Sequence, residues 1–261
     1  EMADAIQKHG GRAIVISRGG PMVRHLDRLG VKHYQLDVHT KNPFRWPQVR
    51  RRLKAILSRE NADLVHVRSR VPAWIALPAA AALGIATVST VHGRFIALSA
   101  LKRMYNRKLL KTDHVIAISN YVKDLITSQY VDVRERLTVV HRGVDVDLFN
   151  PDNVNQTRIV NFVEGLAIPE DVPVIMLPAR ATMWKGHRIL LQALAKIKDR
   201  PFICLMIGAG DGKPAFVSEL VRYGQQLGLE GRFRLTPLVD DMPAALMVAD
   251  VVAMPSITPE P

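Results

Sequence analysis

Short apolar segments alternate with longer amphipathic segments along almost the whole chain. The short segments are rich in β-branched residues and have the length of strands, whereas the longer ones repeat apolar residues at helical spacing. The first half contains six predicted strands: Ala13–Ser17, His33–Leu36, Leu64–Val67, Thr87–Val91, His114–Ile118 and Leu137–Val140. The second half contains four: Val174–Leu177, Phe202–Ile207, Phe233–Thr236 and Val251–Met254. Strands that are apolar almost throughout, with helices between them, indicate parallel sheets covered on both faces.

The pattern predicts an α/β protein with two doubly wound, Rossmann-like domains, residues 1–150 and 151–261. A loop-like run that begins at Arg142 closes the last strand of the first half. Pro151 then interrupts the chain before a new predicted helix, Val154–Leu166. In sheets of this kind ligands bind beyond the carboxyl ends of the strands. The loops that follow the strands are therefore the candidate functional segments.

The stretch from Pro72 to Val91 contains no charged residue and is about as long as a membrane span. Pro78, Gly84 and a β-branched end favour a buried helix, a turn and a buried strand instead. Cys204, the one cysteine, lies in an apolar strand and has no intrachain partner, which favours a reducing compartment. The N-terminus lacks the pattern of a signal peptide. We expect a cytoplasmic protein with peripheral attachment to the inner face of the plasma membrane.

The net charge of +12 lies entirely in the first half of the chain. Residues 1–150 contain 25 Lys and Arg against 12 Asp and Glu, a net of +13, whereas residues 151–261 contain 11 against 12, a net of −1. The first half is therefore expected to meet an anionic partner. With aromatic residues at only 6% and no nucleic-acid motif, an anionic membrane surface is favoured over nucleic acid.

Two predicted helices of the first half carry this basic charge opposite an apolar face. The pattern places these apolar residues toward the core: Trp46, Val49, Leu53, Ile56 and Leu57 on Trp46–Arg59, and Leu98, Leu101, Tyr105 and Leu109 on Leu98–Lys111. Basic residues lie mostly on the opposite faces: Arg51, Arg52, Lys54 and Arg59 on the first helix, and Arg103, Arg107 and Lys111 on the second. A solvated basic surface explains the periodicity, but it does not explain the scarcity of acidic residues.

In the second half, Arg180 and Lys185 flank a predicted turn between a strand and a helix. A helix N-terminus favours anions, and two cations beside it suit a diphosphate. The spacing alone is equally compatible with Arg180 and Lys185 being solvated surface residues that bind no ligand. The next strand ends in a glycine-rich turn with Gly208 and Gly210, which lets a ligand approach the backbone or simply forms a tight loop.

The order of these segments resembles retaining glycosyltransferases of family 4, which have the two-domain GT-B fold. The resemblance rests on Arg180…Lys185-Gly186, the glycine turn, the run from Ala249-Asp250 to Pro255-Ser256, and Glu260. In the first half, Val91-His92-Gly93, the run from Ala117 to Asn120 and the run from Arg142 to Asp145 resemble further landmarks of the family. The resemblance extends over nearly the whole chain and implies two domains that face each other across a cleft.

The resemblance implies transfer of a sugar from a nucleoside-diphosphate sugar to a hydroxyl acceptor, a lipid-linked or envelope glycan of the lipopolysaccharide or exopolysaccharide type. In the family, the arginine and lysine bind the donor diphosphate, a glutamate holds the sugar, and a histidine lines the reaction centre. Carried over to this chain, these are Arg180, Lys185, Glu260 and His92. Gly208, Gly210, Leu238 and Ser256 are expected to line the rest of the nucleotide-sugar site. No cofactor and no metal are expected, and Asp145-Val146-Asp147 is interpreted as part of the linker.

The chain departs from the family pattern at Arg142, where the family usually has Asn, at Ala179 and at Pro237, where Gly is common. The resemblance also places a strand before Glu1 and a second glutamate eight residues after Glu260. We therefore expect the chain by itself to be inactive. The alternatives are a nucleotide-sugar epimerase or a phosphorylase of the same fold, a basic nucleic-acid-binding module, and a relative that binds without catalysis.

Overall fold

The computed structural model describes residues 2–93 and 95–260. The chain folds into two compact units, which divide between Arg142 and Gly143. The sequence analysis places the boundary between Asn150 and Pro151. Both positions lie in one exposed segment without regular structure, between the last strand of the first unit and a short 3₁₀ helix at Pro151–Asn153.

The described part of the first unit contains two parallel sheets. Strands β1 (Ile14–Ser17) and β2 (Lys32–Gln35) form a two-stranded sheet. The larger sheet has the order β3-β4-β5-β6, with these bounds: β3 Leu64–Val67, β4 Ala86–Val91, β5 His114–Ala117 and β6 Leu137–Val139. All its strands run parallel, so their carboxyl ends lie along one edge.

Six helices accompany these strands in the described part of the first unit. They are α1 (Met2–Lys8), α2 (Val23–Arg28), α3 (Trp46–Arg59), α4 (Arg70–Ala81), α5 (Ala100–Arg107) and α6 (Asn120–Thr127). Helices α3, α4 and α6 contribute buried residues to the core of the larger sheet. Helix α3 has the predicted bounds, with Val49, Leu53 and Leu57 buried and its basic residues exposed. Its apolar face joins one core with β3 and α4, as the helical periodicity requires.

The uncharged stretch from Pro72 to Val91 is a buried helix, a turn and a strand, as predicted. Helix α4 buries Ala73, Ile75 and Ala80 completely. Gly84, with φ at +68°, then turns the chain toward β4. No helix in residues 2–93 or 95–260 is long and apolar enough to span a bilayer.

The prediction for Leu98–Lys111 is wrong in two respects. Helix α5 is shorter, because it begins at Ala100, where Ser99 accepts a hydrogen bond from Lys102 N, and a 3₁₀ turn at Lys108–Leu110 follows it. Leu98 and Leu101 do not face the core but are 96% and 76% exposed. The second half of the segment is anchored, since Asn106, Leu109 and Leu110 are buried and the Tyr105 ring stacks on Trp74. The periodicity is that of an amphipathic helix, but periodicity alone does not show whether the protein covers its apolar face.

The second unit is built around one parallel sheet in the described residues, with the order β10-β7-β8-β9. The strands are β7 (Val174–Met176), β8 (Ile203–Ile207), β9 (Phe233–Thr236) and β10 (Val251–Val252). The helices are α7 (Gln156–Gly165), α8 (His187–Ala195), α9 (Pro214–Gln226) and α10 (Met242–Val248). Strand β8 is completely buried and separates two apolar cores, one on each face of the sheet. Its position explains the unbroken apolar sequence.

Strand β10 is shorter than the predicted Val251–Met254, because it is an edge strand with both residues exposed. Asp250 attaches it to β7: a carboxylate oxygen of Asp250 accepts a hydrogen bond from Val174 N at 2.7 Å. Cys204 is buried in β8, and burial raises the pKa of its thiol to about 12.

Candidate functional site

The turn after β7 packs directly against the loop after β10. It contains a 3₁₀ helix, Met183–Lys185, and then Gly186, whose φ of +75° lets the chain enter α8. A Cβ atom at Gly186 would lie 1.9 Å from the carbonyl oxygen of Pro255. The same loop donates a hydrogen bond from Ile257 N to the carbonyl of Trp184 at 2.9 Å. Only glycine fits at position 186 while the two segments stay this close.

This packing brings three of the predicted site residues together: Lys185, Ser256 and Glu260. The Nζ atom of Lys185 lies 2.6 Å and 2.7 Å from the two carboxylate oxygens of Glu260. The hydroxyl of Ser256 also donates a hydrogen bond to Glu260. The Lys185 ammonium group lies 4.4 Å from the centre of the Trp184 ring.

Lys185 and Glu260 form an ion pair at the edge of solvent, with side chains 18% and 39% exposed. Partial burial raises the pKa of the Glu260 carboxyl group. Hydrogen bonds from Lys185 and Ser256 outweigh that effect, so the net shift of the pKa is downward. Glu260 is therefore ionised at neutral pH and can accept hydrogen bonds from hydroxyl groups.

Arg180 lies beyond the carboxyl end of β7 and is exposed. It makes no hydrogen bond or ion pair with any described residue. Around the same turn, three buried polar atoms have no protein partner among the described residues: Thr182 Oγ1, His187 Nδ1 and Thr258 Oγ1. A cation without a partner and buried polar atoms without partners are features of a site that binds a polar ligand.

The glycine turn after β8 lies beside Arg180 and Leu238. Gly208 has φ at +80°, and a Cβ there would be 3.8 Å from Arg180 N and from Leu238 Cδ1. Gly210 N donates to Thr236 O at 2.8 Å, so the turn lies against the carboxyl end of β9. Leu238 N donates to a carboxylate oxygen of Asp211 at 2.7 Å, which holds the exposed Leu238 segment in place. All predicted site residues of the second unit thus lie on loops at one edge of one sheet.

In the first unit, His92 directly follows β4 and contacts two arginines. Arg68 Nε donates to His92 Nε2 at 2.9 Å, and Arg142 Nη2 lies 2.7 Å from His92 Nδ1. Burial, followed by the positive charges of Arg68 and Arg142 and the nearby His66, lowers the pKa of His92 to about 4. His92 is therefore a neutral imidazole at pH 7.

Sequence reasoning did not identify Arg68 as a site residue, and it noted Arg142 as part of a family landmark and as a departure from the family pattern there, but not as a site residue. Their positions in the sequence could have marked them as candidates, because Arg68 directly follows β3 and Arg142 lies shortly after β6. The role of Asp250 as the residue that attaches β10 to β7 was also missed. It required knowledge of which strands are neighbours.

Among the described residues, no group of three or more His, Cys, Asp or Glu side chains could hold a metal ion. Asp145 accepts a hydrogen bond from Leu148 N at 3.0 Å and so stabilises a local turn. The expectation that the reaction needs no metal stays a prediction.

Comparison with known proteins defines the class. The Glycosyltransferase Family 4 model matches residues 1–148, and the model for glycosyl transferases group 1 matches residues 172–260. The chain therefore belongs to glycosyltransferase family 4. A D-inositol 3-phosphate glycosyltransferase of Xylanimonas cellulosilytica is 33% identical over 137 residues, which are 51% of this chain and 32% of that protein. One from Corynebacterium glutamicum is 29% identical over 60% of this chain and 39% of its own length. The chain thus spans about a third of the length of these relatives.

Solved structures of other proteins share the fold over the whole chain. A glycosyltransferase from Rickettsia africae is 32% identical, with a TM-score of 0.88, over 99% of this chain and 68% of that one. HepE of Anabaena, solved in complex with UDP-glucose, has a TM-score of 0.80 at 21% identity, over 100% of this chain and 70% of its own. The predicted fold class, two Rossmann-like parallel-sheet domains of the GT-B type, is confirmed.

Proposed function

We propose that this chain provides the donor site and the acceptor side of a retaining glycosyltransferase, which transfers a sugar from a nucleoside-diphosphate sugar to a hydroxyl group. The observation that carries the proposal is the contact of both Lys185 and Ser256 with Glu260, at the same edge of the sheet as Arg180, which has no partner among the described residues. A similar fold that is solved with UDP-glucose supports a nucleotide-sugar donor and favours uridine as the base to test first.

In this proposal, Arg180 and Lys185 neutralise the diphosphate as the bond between sugar and phosphate breaks. The diphosphate competes with Glu260 for Lys185, and the released carboxylate accepts hydrogen bonds from the sugar hydroxyls. Retention implies attack on the face that the diphosphate leaves, with a phosphate oxygen taking the proton of the acceptor. Such a path needs no side-chain base, and neutral His92 then serves to line the reaction centre.

The donor site is tested with Lys185→Ala and Arg180→Ala. Titration of the chain with UDP should show weaker binding for both variants, because each removes a charge-assisted contact to phosphate. In the full-length protein, each should lower kcat/KM by on the order of 100-fold or more. The matched controls are Lys196→Ala and Arg222→Ala, which remove exposed cations of the same unit. Variants that bind UDP and turn over as the controls do would contradict the proposal.

We further propose that the first unit attaches to anionic membranes through α5 and its flanks. Leu98, Leu101 and Met104 are 96%, 76% and 60% exposed. Lys102 and Arg103, both exposed, lie between them in sequence. Apolar side chains with interspersed cations suit the boundary between headgroups and acyl chains. The basic face of α3 adds electrostatic attraction, at about 1 kcal/mol for each residue near the surface.

Co-sedimentation with vesicles tests this attachment. The chain should bind vesicles that contain phosphatidylserine, and it should not bind neutral vesicles. Leu101→Ser with Met104→Ser should weaken binding through lost apolar contact, and replacing Arg51, Arg52 and Lys54 with Gln should weaken it mainly at low salt. Lys196→Gln with Lys198→Gln in the second unit is the control. Equal binding to neutral and anionic vesicles would refute the electrostatic part.

The predicted lipid-linked or envelope-glycan acceptor stays a proposal, since the curated relatives named above are named for inositol 3-phosphate.

A further inference from the structure

Three basic side chains meet at the carboxyl edge of the larger sheet of the first unit. Arg68 follows β3, His92 follows β4, and Arg142 lies beyond β6. Parallel order places the ends of these strands along one edge, where doubly wound sheets bind ligands. The sequence separates the three residues widely, so their contact is a property of the fold.

The hydrogen-bonding groups of these three side chains cannot all be satisfied by one another. A guanidinium group only donates, and a neutral imidazole accepts at one nitrogen and donates at the other. If Arg68 Nε donates to His92 Nε2, then His92 Nδ1 carries the proton and faces Arg142 Nη2 at 2.7 Å. Two hydrogen-bond donors then face each other. In the other tautomer Nε2 carries the proton and faces Arg68 Nε, which is also a donor. If the ring is protonated, both nitrogens carry protons and each faces a guanidinium donor.

No carboxylate among the described residues resolves the conflict. Neither Arg68 nor Arg142 forms an ion pair with a described acidic residue. The nearby His66 is bonded to Thr90 through Nε2 at 2.7 Å and brings no negative charge. Two guanidinium groups and one imidazole N–H therefore lack an anionic acceptor at a ligand-binding edge.

We propose that Arg68, His92 and Arg142 form a binding site for a phosphate group carried by the acceptor. Two guanidinium forks match the several oxygens of a phosphomonoester and its charge, whereas one carboxylate would use only part of the donors. The donor diphosphate is the other source of the same chemistry. Its proposed cations, Arg180 and Lys185, belong to the second unit, whereas Arg68, His92 and Arg142 all belong to the first. The acceptor assignment rests on the proposed function.

Phosphate binding to the intact chain is measured by NMR of the histidine ring nitrogens, with His92 assigned through His92→Asn. Inorganic phosphate should shift the His92 signals saturably at constant ionic strength. Arg68→Gln and Arg142→Gln should each raise the Kd about tenfold or more, because each removes charge-assisted hydrogen bonds. Arg28→Gln, an exposed arginine on α2, is the control and should leave the Kd unchanged. Arg68 and Arg142 are exposed, and circular dichroism confirms that their variants fold.

Competition separates the two sources of phosphate. Saturating UDP should leave phosphate on His92, and glucose 6-phosphate should displace it while glucose does not. Displacement by UDP would assign the site to the donor and overturn the proposal. Absence of saturable shifts, or an equal effect of Arg28→Gln, would overturn it as well.

The assay needs no turnover, so its failure is distinct from failure of the proposed function. If UDP-sugars are consumed but phosphate does not bind at His92, only this inference falls. If phosphate binds but the full-length protein transfers no sugar from any nucleotide sugar, the anion site stands and its assignment to an acceptor falls.

Discussion

Replacement of Gly186 by alanine is a sharp test of how the candidate donor site is built. The methyl group would lie 1.9 Å from the carbonyl oxygen of Pro255, whereas ordinary contacts begin at 3.4 Å. The loop after β10 must therefore move by about 1.5 Å, the difference between these two distances. That movement separates Ser256 and Glu260 from Lys185.

The free energy of unfolding should fall by about 1.5–4.5 kcal/mol, the sum of three contributions. A φ of +75° costs alanine roughly 1–2 kcal/mol. Loss of the hydrogen bond from Ile257 N to Trp184 O costs about 0.5–1.5 kcal/mol. The partly exposed Lys185–Glu260 pair contributes about 0–1 kcal/mol. For a unit of this size, the sum corresponds to a fall in Tm of about 10 °C.

Two measurements check this prediction: thermal unfolding followed by circular dichroism, and titration with UDP. Gly186→Ala should lower both the Tm and the affinity for UDP. Gly143→Ala is the matched control, because its φ is not in the left-handed region and a Cβ there meets nothing within 4 Å. If Gly186→Ala matches Gly143→Ala in both measurements, the packing of the two loops does not support the donor site.

Three further predictions concern metal dependence and protonation. Glycosyl transfer by the full-length protein should survive EDTA, because Arg180 and Lys185 supply the positive charge; loss in EDTA with rescue by Mg²⁺ or Mn²⁺ would refute this. The His92 ring should titrate in NMR with a pKa of about 4 rather than 6.5 and be neutral above that range. Arg68→Gln should raise this pKa, and an unchanged pKa would exclude the charge effect of Arg68. Hydrogen bonds from Lys32 and Tyr34 lower the Glu60 pKa from 4.5 to about 2, so this carboxylate stabilises the fold above pH 4.5 and the gain is lost as the pH falls toward 2. The difference in the free energy of unfolding between the wild type and Glu60→Gln should therefore shrink over that pH range, and a constant difference would contradict the assignment.

The sequence determined the elements and the fold class of this protein. Periodicity gave α3 its bounds, and the unbroken apolar run at Ile203–Ile207 marked a strand buried on both faces. Local backbone preferences and burial are written into neighbouring residues, so these features are readable without any knowledge of distant contacts. The positions of Arg180, Lys185 and Glu260 after strands were readable for the same reason.

Tertiary structure alone decided which of these residues meet. The contact of Lys185 with Glu260 depends on β10 pairing with β7, which Asp250 secures and which sequence spacing does not encode. The exposure of Leu98 and Leu101 shows the converse: an apolar helix face is evident in sequence, but whether the protein covers it depends on the rest of the fold. The meeting of Arg68, His92 and Arg142 likewise follows from strand order. Contacts between residues far apart in sequence are set by packing of whole elements, and so only the assembled sheet reveals them.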